Sequence, residues 1–459
     1  MSAIALAGET AKKLQDAAVL NATLSWSQEL LETEARRLDA APAGMLSGMS
    51  VALKDNLVTT DHPTTCASKI LQGYVSPFEA TAVRRVRDAG GLIAAKASLD
   101  EFAMGSSTEH SAYGRVLHPL DHERVPGGSS GGSAALVAAG VTTTALGSET
   151  GGSVRQPASF CGVVGVKPSY GRVSRFGLVA FGSSLDCIST FGRTTHDAAQ
   201  LLCAISGHDP LDPTTRAQPP LAMPATRKDL RGVVIGLPRE YFPADLHPGV
   251  RAGCDRAVAA LRQLGAELRD VSLPNTGLAV PTYYIVNPAE AAANLARFDG
   301  VRYGPRHIGP EGDVRALYRA TRGQGFGPEV RRRILVGTFV LSAGYSDQYY
   351  RRAQAARQLI IDDFTRVFAS GVDLLFTPTT PTPAFKAGEK TDDPVQMYLA
   401  DIFVCPASLA GLPALSLPVG RDQGLPLGGQ LMAADFNEAA MLSASMALES
   451  VLNATAEVR

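Results

Sequence analysis

The stretch that decides the fold runs from Gly127 to Gly171 and reads GGSSGGSAALVAAGVTTTALGSETGGSVRQPASFCGVVGVKPSYG. It contains two turns of glycine and serine, the first around Ser129 and the second around Ser153. Between them we predict a small-residue helix over 133–139 and a β-branched strand over 141–146. Glycine adopts backbone angles that other residues avoid, so both turns can expose N–H groups and admit a substrate closely. With a suitable base, a serine in such a turn can perform acyl transfer.

Helices and short apolar strands alternate on both sides of this segment. The predicted elements are strands over 49–53, 91–95, 233–237 and 268–271 and helices over 81–89 and 250–264. This alternation predicts an α/β fold with a large mixed, mostly parallel central sheet flanked by helices.

Two segments differ from this alternation. Residues 1–44 show helical spacing and end in Ala-Pro-rich sequence, which predicts an N-terminal helical region. Residues 208–224 are rich in Pro, Thr and Asp, which predicts a long surface loop. That loop leaves a division into two domains open, but the same alternation on either side favours a single domain over 1–459.

The predicted elements have a consequence for three polar side chains. Lys54 follows a strand directly, and Ser129 stands at the start of the small-residue helix. The helix carries the chain across the sheet, and the next strand returns it, so Ser153 comes back to the starting edge. Open α/β folds build their sites at the carboxyl ends of their strands, and we expect the three side chains to meet there.

Composition restricts the class of protein. The 459 residues carry a formal net charge of −1, with 45% hydrophobic and 19% charged residues, as in a soluble globular protein. Nothing in this balance favours nucleic acid or a membrane surface as a partner. No targeting segment is evident, and the most apolar run, 134–146, is too short to span a bilayer. We therefore expect a cytoplasmic protein.

The six cysteines are scattered and form no CxxC pair. This spacing predicts buried free thiols rather than a disulfide framework or a zinc site, and we expect no metal ion in the chain. The cysteines are Cys66, Cys161, Cys187, Cys203, Cys254 and Cys405.

One interpretation makes Ser129 the nucleophile. Gly127-Gly128-Ser129-Ser130-Gly131 matches the G-x-S-x-G pattern of α/β-hydrolases, which needs an acid and then a histidine downstream. The pattern should follow a strand, yet 120–126 contains four consecutive polar residues, Asp-His-Glu-Arg. Of the later histidines, His208 and His247 lie in loop-like sequence, so a Ser–His–Asp triad is the weaker interpretation.

A second interpretation makes Lys54 the base. A neutral lysine amine can take the proton of a serine hydroxyl, but only where burial or positive charge lowers its pKa. Ser129 would relay the proton between Lys54 and Ser153. The N–H groups of Thr150, Gly151 and Gly152 would stabilise the oxyanion of the tetrahedral intermediate. The alternative is that these are ordinary glycine-serine turns and Lys54 is a surface cation.

The segment from Gly127 to Gly171 closely resembles the amidase signature family, including the 24 positions that separate Ser129 from Ser153. Lys54-Asp55-Asn56 resembles the lysine motif of that family. The resemblance implies the amidase-signature fold, with Ser153 as the acyl-forming nucleophile, Ser129 as a bridging serine in a cis peptide and Lys54 as the base.

Further stretches resemble the A subunits of tRNA-dependent amidotransferases within that family. These stretches are TTCASKIL at 64–71, SLDEFAMGSSTEHSAYG at 98–114, RRRILVGTFVLSAGY at 331–345 and DDPVQMYLADIFVCPASLAGLPALSLP at 392–418. The resemblance implies a subunit that hydrolyses glutamine and passes ammonia to a B-type partner, with a small C-type subunit completing a heterotrimer. The partner amidates Glu-tRNA(Gln) or Asp-tRNA(Asn) with ATP and Mg, so no cofactor is expected in this chain.

The same resemblance assigns three residues to glutamine. Arg333 matches the arginine that meets the α-carboxylate, Asp401 the acid that meets the α-ammonium, and Tyr284 a tyrosine that lines the pocket. Each residue has a plainer explanation, because Arg333 lies in a basic run, Asp401 can cap a helix and Tyr284 can be a core residue.

The chain departs from the family pattern in three places. The region before Met45 is atypical, Met49 and Ser50 replace the usual isoleucine and proline, and Glu149 replaces an aspartate. We expect Glu149 to pair with Arg155 and to brace the nucleophile turn.

Two other functions stay open on the sequence. A free-standing amidase acting on small or aryl amides would use the same Lys–Ser–Ser residues but would need neither Arg333 nor Asp401. A scaffold subunit without catalysis would not need Lys54, Ser129 and Ser153, which are all present.

Overall fold

The computed structural model describes residues 2–41, 43–309, 312–391 and 393–454. Asp392, where one of the family-like stretches begins, lies outside the described residues. The helices are α1 (Ala3–Asp16), α2 (Gln28–Asp39), α3 (Thr81–Asp88), α4 (Gly131–Ala138), α5 (Arg155–Cys161), α6 (Thr195–Ile205), α7 (Pro248–Gln263), α8 (Ala279–Asn294), α9 (Val314–Gly325), α10 (Pro328–Leu341), α11 (Tyr350–Ala369), α12 (Pro394–Leu399), α13 (Cys405–Leu409) and α14 (Glu438–Leu452).

The strands are β1 (Thr23–Ser25), β2 (Ser50–Lys54), β3 (Leu92–Ala97), β4 (Thr144–Glu149), β5 (Val164–Lys167), β6 (Cys187–Gly192), β7 (Val234–Pro238), β8 (Glu267–Val271), β9 (Leu374–Pro378), β10 (Ala414–Asp422) and β11 (Leu425–Ala433). Each helix and strand predicted from periodicity is present within three residues of its expected ends.

These eleven strands form one mixed sheet in the order β1-β3-β2-β4-β6-β5-β10-β11-β9-β7-β8. The expectation of a large mixed sheet is confirmed, but the expectation that it is mostly parallel is wrong. Six of the ten pairings are antiparallel and four are parallel. Adjacent strands such as β10 and β11 return through a short turn without a crossover helix, and apolar runs do not encode that direction.

The sheet separates two large clusters of buried apolar side chains. Val51 and Leu53 of β2 belong to one cluster and Ala52 to the other; in β4, Leu146 and Ala145 divide in the same way. Successive side chains of a strand point to opposite faces, so each of these strands is buried on both faces. This explains why they read as continuous apolar runs rather than alternating patterns.

The N-terminal region is helical as predicted, with α1 and α2 packed on each other. Between these helices lies the short strand β1, which the sequence did not indicate; it pairs antiparallel with the edge of β3. The 208–224 loop contains no helix or strand. Strands from both sides of that loop share one sheet, and on that ground we propose that the chain is a single domain.

Helix α4 approaches its neighbours closely because its first two residues are glycines. A Cβ on Gly131 would overlap with Thr108, and a Cβ on Gly132 would overlap with the carbonyl oxygens of Ser98 and Ala22. The two glycines therefore allow α4 to begin directly against the loop that follows β3, which fixes where the preceding serines lie.

Two simpler expectations can be compared with the described residues. All six cysteines are free and buried, as predicted. Within the described ranges, no helix is both long and apolar enough to cross a membrane.

Candidate active site

Lys54 and Ser129 are in direct contact at the end of β2. The Lys54 Nζ donates to Ser129 Oγ at 2.7 Å and to the carbonyl oxygen of Ser148 at 3.1 Å. Both side chains are fully buried, and the Gly128–Ser129 peptide bond is cis. β2 and β4 are parallel neighbours, so the geometry predicted from the order of elements brings Lys54 and Ser129 together at one edge of the sheet.

Burial alters the ionisation of Lys54. It lowers the pKa of the ammonium from 10.5 to about 7, even though the carboxylates of Asp100, Asp186 and Glu149 favour the charged form. The adjacent Asp55 is paired with Lys96 at 2.9 Å, so the carboxylate that follows Lys54 in sequence is neutralised by another cation. A substantial fraction of Lys54 is therefore neutral near pH 7, as a general base requires.

Ser153 lies in the turn between β4 and α5, beside the cis peptide. The N–H of Ser130 donates to the carbonyl oxygen of Ser153 at 3.2 Å, which joins the two glycine-serine turns. Ser153 is 7% exposed, whereas Lys54 and Ser129 are completely covered. Of the three side chains, Ser153 is thus the one that an entering substrate can reach.

The predicted pairing of Glu149 with Arg155 is confirmed. The Arg155 guanidinium and the Glu149 carboxylate form a fully buried ion pair, with Nε to Oε1 at 2.7 Å. The other carboxylate oxygen accepts from the N–H groups of Val154 and Arg155, each at 3.0 Å. Glu149 therefore clamps both ends of the turn that holds Ser153.

The carbonyl oxygens of the two glycines before Ser153 are engaged by the protein. That of Gly151 accepts from Arg155 at 2.9 Å and from Ser408 at 2.6 Å, and that of Gly152 accepts from the N–H of Gln156 at 2.9 Å. These bonds fix the peptide planes that carry the N–H groups of Gly152 and Ser153. A fixed plane is the requirement for an N–H group that stabilises an oxyanion. Of Thr150, Gly151 and Gly152, the residues expected in that role, the N–H of Gly152 is fixed in this way.

The glycines of the turn are needed because three side chains approach it. An ideal Cβ on Gly151 would lie 3.0 Å from the Tyr283 ring, and one on Gly152 would lie 3.0 Å from Asp401 Oδ1 and overlap with Val404. The structure therefore brings Asp401, from far downstream in the chain, to the edge of the nucleophile turn.

Asp401 is a buried carboxylate with one satisfied oxygen. Its Oδ2 accepts from Ser106 Oγ at 2.5 Å, while Oδ1 is buried and has no hydrogen-bond partner among the described residues. Desolvation raises the pKa of this carboxyl to about 7; Ser106 and the positive charge of Arg333 oppose that shift. A buried acceptor without a donor is costly, and an ammonium group would satisfy it.

Arg333 lies on the buried face of α10. Its Nε donates to Glu329 Oε1 at 2.7 Å, one helical turn earlier. Burial opposes the charge of Arg333, but Glu329 and the neighbouring tyrosines outweigh burial and raise the guanidinium pKa well above its usual value. The arginine therefore stays charged in a small pocket between α10 and Tyr398.

A wall of tyrosines connects the nucleophile turn to Arg333. Tyr283 contacts Gly151 and meets Tyr284 edge-on at 5.0 Å between ring centroids. Tyr284 stacks on Tyr398 at 3.5 Å, and the Arg333 guanidinium carbon lies 5.3 Å from the Tyr284 centroid. The three residues predicted for glutamine thus border one site, with Asp401 at the turn and Arg333 beyond the rings.

The α/β-hydrolase interpretation of Ser129 finds less support. No strand precedes Ser129 between 120 and 126, so the strand–turn–helix context of the G-x-S-x-G pattern is missing. The described part of the chain contains no cluster of three His, Cys, Asp or Glu residues that could hold a metal ion.

The sequence matches the profile of the amidase family over residues 8–442. The chain belongs to the amidase family. Among known members it is similar to the A subunit of the glutamyl-tRNA(Gln) amidotransferase from Carboxydothermus hydrogenoformans, with 53% identity over 93% of this chain and 87% of that protein. The fold agrees with this membership.

Solved structures of the amidase family superpose on nearly the whole chain. The structure of the glutamyl-tRNA(Gln) amidotransferase A subunit from Thermotoga maritima has a TM-score of 0.81 and 42% identity, covering 97% of this chain and 91% of that one. The peptide amidase of Stenotrophomonas maltophilia has a TM-score of 0.83 and 28% identity, covering 100% and 95%.

Several residues of this amidase-family site were not predicted from the sequence. Asp186 accepts from Thr150 Oγ1 at 2.9 Å and from the N–H groups of Phe181 and Gly182. It therefore connects Thr150, in the turn before Ser153, to the backbone at 181–182. Asn287 of α8 is fully buried beside Gly182, and neither end of its amide has a hydrogen-bond partner within the described ranges.

A third residue, Glu329, was not predicted, although its spacing from Arg333 indicates the contact. Glu329 stands four positions before Arg333 on a helix, and acids and arginines at that spacing lie side by side. The basic run at 331–333 indicates the positive charges but not the acid that pairs with Arg333.

Proposed function

We propose that this chain is the glutaminase subunit of a tRNA-dependent amidotransferase. The observation that carries the proposal is a pair of opposite charges on the two sides of the tyrosine wall, one of them at the turn that holds Ser153. The partnerless oxygen of Asp401 borders Gly152, and Arg333 lies beyond the tyrosine wall. Glutamine presents an α-ammonium and an α-carboxylate, which need an anion and a cation, and the arginine fork suits a carboxylate.

The buried contact between Lys54 and Ser129 supports a mechanism in two stages. Ser153 Oγ attacks the amide carbon of glutamine, and its proton passes through Ser129 to the neutral Lys54. The negative oxygen of the tetrahedral intermediate is held by N–H groups of Thr150, Gly151 and Gly152. When the C–N bond breaks, the proton returns through Ser129 to the leaving nitrogen, which departs as ammonia.

Water completes the reaction. The γ-glutamyl ester on Ser153 is attacked by a water molecule, whose proton follows the same path to Lys54 and then returns to Ser153 Oγ as the ester bond breaks. Glutamate is released and the free serine is restored. Ser129 therefore carries the proton in both directions, which requires it to stay within hydrogen-bond reach of Lys54 throughout.

The assembly follows from the same proposal. The relative from Carboxydothermus hydrogenoformans is named as one lettered subunit of a glutamyl-tRNA(Gln) amidotransferase, which implies at least one companion. We infer a B-type companion that binds ATP and Mg and amidates Glu-tRNA(Gln), or Asp-tRNA(Asn), with the ammonia made here. A small C-type subunit would complete a heterotrimer in the cytoplasm, where tRNA is aminoacylated.

Ser153→Ala tests the nucleophile. Glutamine hydrolysis and glutamine-supported amidation of the misacylated tRNA should be lost, because no acyl-enzyme can form. Amidation by the assembled complex with ammonium chloride should persist, because the companion still receives ammonia. Ser450→Ala, at an exposed serine of α14, serves as the matched control and should change neither activity. Full glutaminase activity in Ser153→Ala would contradict the assignment.

A free-standing amidase is the second candidate, and similarity to a peptide amidase favours its consideration. Arg333→Ala distinguishes the two candidates, because a neutral amide has no carboxylate for Arg333 to bind. For glutamine, KM should rise by about tenfold or more, as expected when a charge-assisted bidentate contact is removed. For a neutral amide the rate should change little. Equal losses for both substrates would favour the free-standing amidase.

A further inference from the structure

Helix α10 is apolar on two faces, and only one of them is buried. The buried face carries Val330, Gly337 and Val340, and a Cβ on Gly337 would overlap with the carbonyl oxygen of Pro288 in α8. The opposite face carries Leu335, which is 70% exposed, and Phe339, which is 48% exposed. A helix with apolar residues all round is normally covered on all sides.

The exposed face continues into the segment after α10. The Phe339 ring lies 4.5 Å from Tyr345 and 5.8 Å from Tyr349, and the two tyrosine rings are 6.1 Å apart. Leu335 and Val336 precede Phe339 by four and three positions, so their side chains are its neighbours on the helix. We call these five exposed residues, Leu335, Val336, Phe339, Tyr345 and Tyr349, the α10 patch.

Both ends of the α10 patch carry positive charge. Arg331 and Arg332 are exposed at its start, one turn before Leu335 and Val336. Arg351 and Arg352 are exposed just after the patch, where Arg351 meets an exposed aspartate at 3.0 Å. Aromatic residues and arginine around an apolar centre are the composition of protein interfaces, where lysine and acids are depleted.

We propose that the α10 patch is the docking surface for a companion subunit of the amidotransferase, one that presents an apolar centre flanked by acidic residues. This inference rests on the proposed function. A second copy of this chain fits poorly, because a two-fold contact would bring arginines against arginines whichever way the helices align. An RNA backbone also fits poorly, because the centre of the patch would bury phosphates against uncharged side chains.

The position of the patch gives docking a functional consequence. Its helix also carries Glu329 and Arg333, which face the glutamine pocket. A companion seated on the α10 patch would therefore hold the helix that carries Glu329 and Arg333 against α8 from outside.

The test uses the companion subunits encoded with this chain, purified and titrated against it. Phe339→Asp and Leu335→Asp should each weaken binding at least tenfold, which is about 1.4 kcal/mol. Arg331→Glu should also weaken binding, and this loss of affinity should be larger at low salt than at high salt. Leu120→Asp, at an exposed leucine in the loop before α4, is the control and should bind as the wild type does.

The outcomes distinguish a failure of the docking surface from a failure of the proposed function. Glutamine hydrolysis by the isolated Phe339→Asp chain should stay within about twofold of the wild type, since Phe339 lies on the face of α10 opposite the site. Unchanged companion binding by Phe339→Asp would overturn the docking surface while leaving the proposed function intact. A wild-type complex of this chain with its companion subunits that hydrolyses no glutamine would instead contradict the proposed function. The isolated wild-type chain could instead self-associate or bind tRNA. If Phe339→Asp abolished either interaction, the assignment of the α10 patch to a companion subunit would also be overturned.

Discussion

The proposed chemistry depends on Lys54, whose positive charge is disfavoured by burial. Lys54 has no exposed surface and lies in a group of buried acids, yet burial outweighs those acids and brings its pKa to about 7. Asp55, the acid next to Lys54 in sequence, is itself paired with Lys96 at 2.9 Å. A serine–lysine pair can therefore work at neutral pH without a histidine.

This predicts a rising pH profile for glutamine hydrolysis. Only neutral Lys54 can accept the Ser129 proton, so kcat should rise about tenfold between pH 6 and pH 8 and then level off. Asp401 titrates in the same window, with a pKa of about 7, but it acts on binding. Its ionisation should therefore lower KM for glutamine as pH rises, and Asp401→Asn should remove that slope alone. A kcat that stays flat from pH 6 to pH 8 would contradict the role of Lys54.

Among the elements, α10 begins at a contact with one buried acid. Glu101 accepts from the N–H of Gly327, directly before α10, at 2.8 Å, and from the hydroxyl of Ser68. The Ser68 hydroxyl oxygen also lies 3.2 Å from the carbonyl oxygen of Gly325. Glu101 thus joins the start of the arginine-bearing helix to the loop after β3, close to the catalytic edge of the sheet.

Glu101 should make stability depend on pH. Desolvation raises its pKa from 4.5 to about 7, so between these values the folded state binds more protons than the unfolded state. The contribution of Glu101 to the free energy of unfolding therefore falls as pH rises through that window. We expect the Tm of the wild type to fall, relative to that of Glu101→Gln, as pH rises from 5 to 7.5. Parallel Tm curves for the two proteins would show that Glu101 does not titrate there.

At the scale of the whole molecule, one arginine joins the nucleophile turn to the C-terminal strands. Arg155 pairs with Glu149, donates to the carbonyl oxygen of Val404 at 2.7 Å and contacts the side chain of Gln430 in β11. These partners come from both halves of the chain, so the turn is held by the assembled sheet and not by its own segment. Unpaired polar atoms in such a network are costly, since Arg155 and Glu149 are fully buried.

A double-mutant cycle measures this connection. Arg155→Met leaves Glu149 buried without its partner and should cost about 3–5 kcal/mol of unfolding free energy. Adding Glu149→Gln removes the unpaired charge, so the double variant should be more stable than the sum of the single effects predicts. Urea-induced unfolding gives the free energies. The exposed Lys13–Glu9 pair is the control and should show little coupling; additive effects at Arg155 and Glu149 would refute the network.

Much of the site could be predicted because its parts are local in sequence. The turns at Ser129 and Ser153, the strand that ends at Lys54 and the Glu149–Arg155 pair, six positions apart, are encoded by neighbouring residues. Glycine, small residues and β-branched runs limit the backbone directly, so their order already indicated which edge of the sheet holds the site.

The remaining parts depend on distant segments. Ser106 meets Asp401 across 295 positions, Glu101 meets Gly327 across 226, and Asp186 supports Thr150 from 36 positions downstream. Tyr283, adjacent in sequence to the predicted Tyr284, is the ring that touches Gly151, because neighbouring helix residues point in different directions.

The sequence by itself therefore determined the turns and the α/β alternation, since these follow from local backbone preferences and hydrophobic periodicity; the roles of Lys54, Ser129 and Ser153 came from the resemblance to the amidase signature family and stay a prediction. Tertiary structure alone decided that most strand pairings are antiparallel, that Lys54 is buried enough to lose its proton, and that Asp401 borders the nucleophile turn. Strand direction, desolvation and long-range contact are properties of the packed chain, because each depends on which distant residues exclude water from the same place.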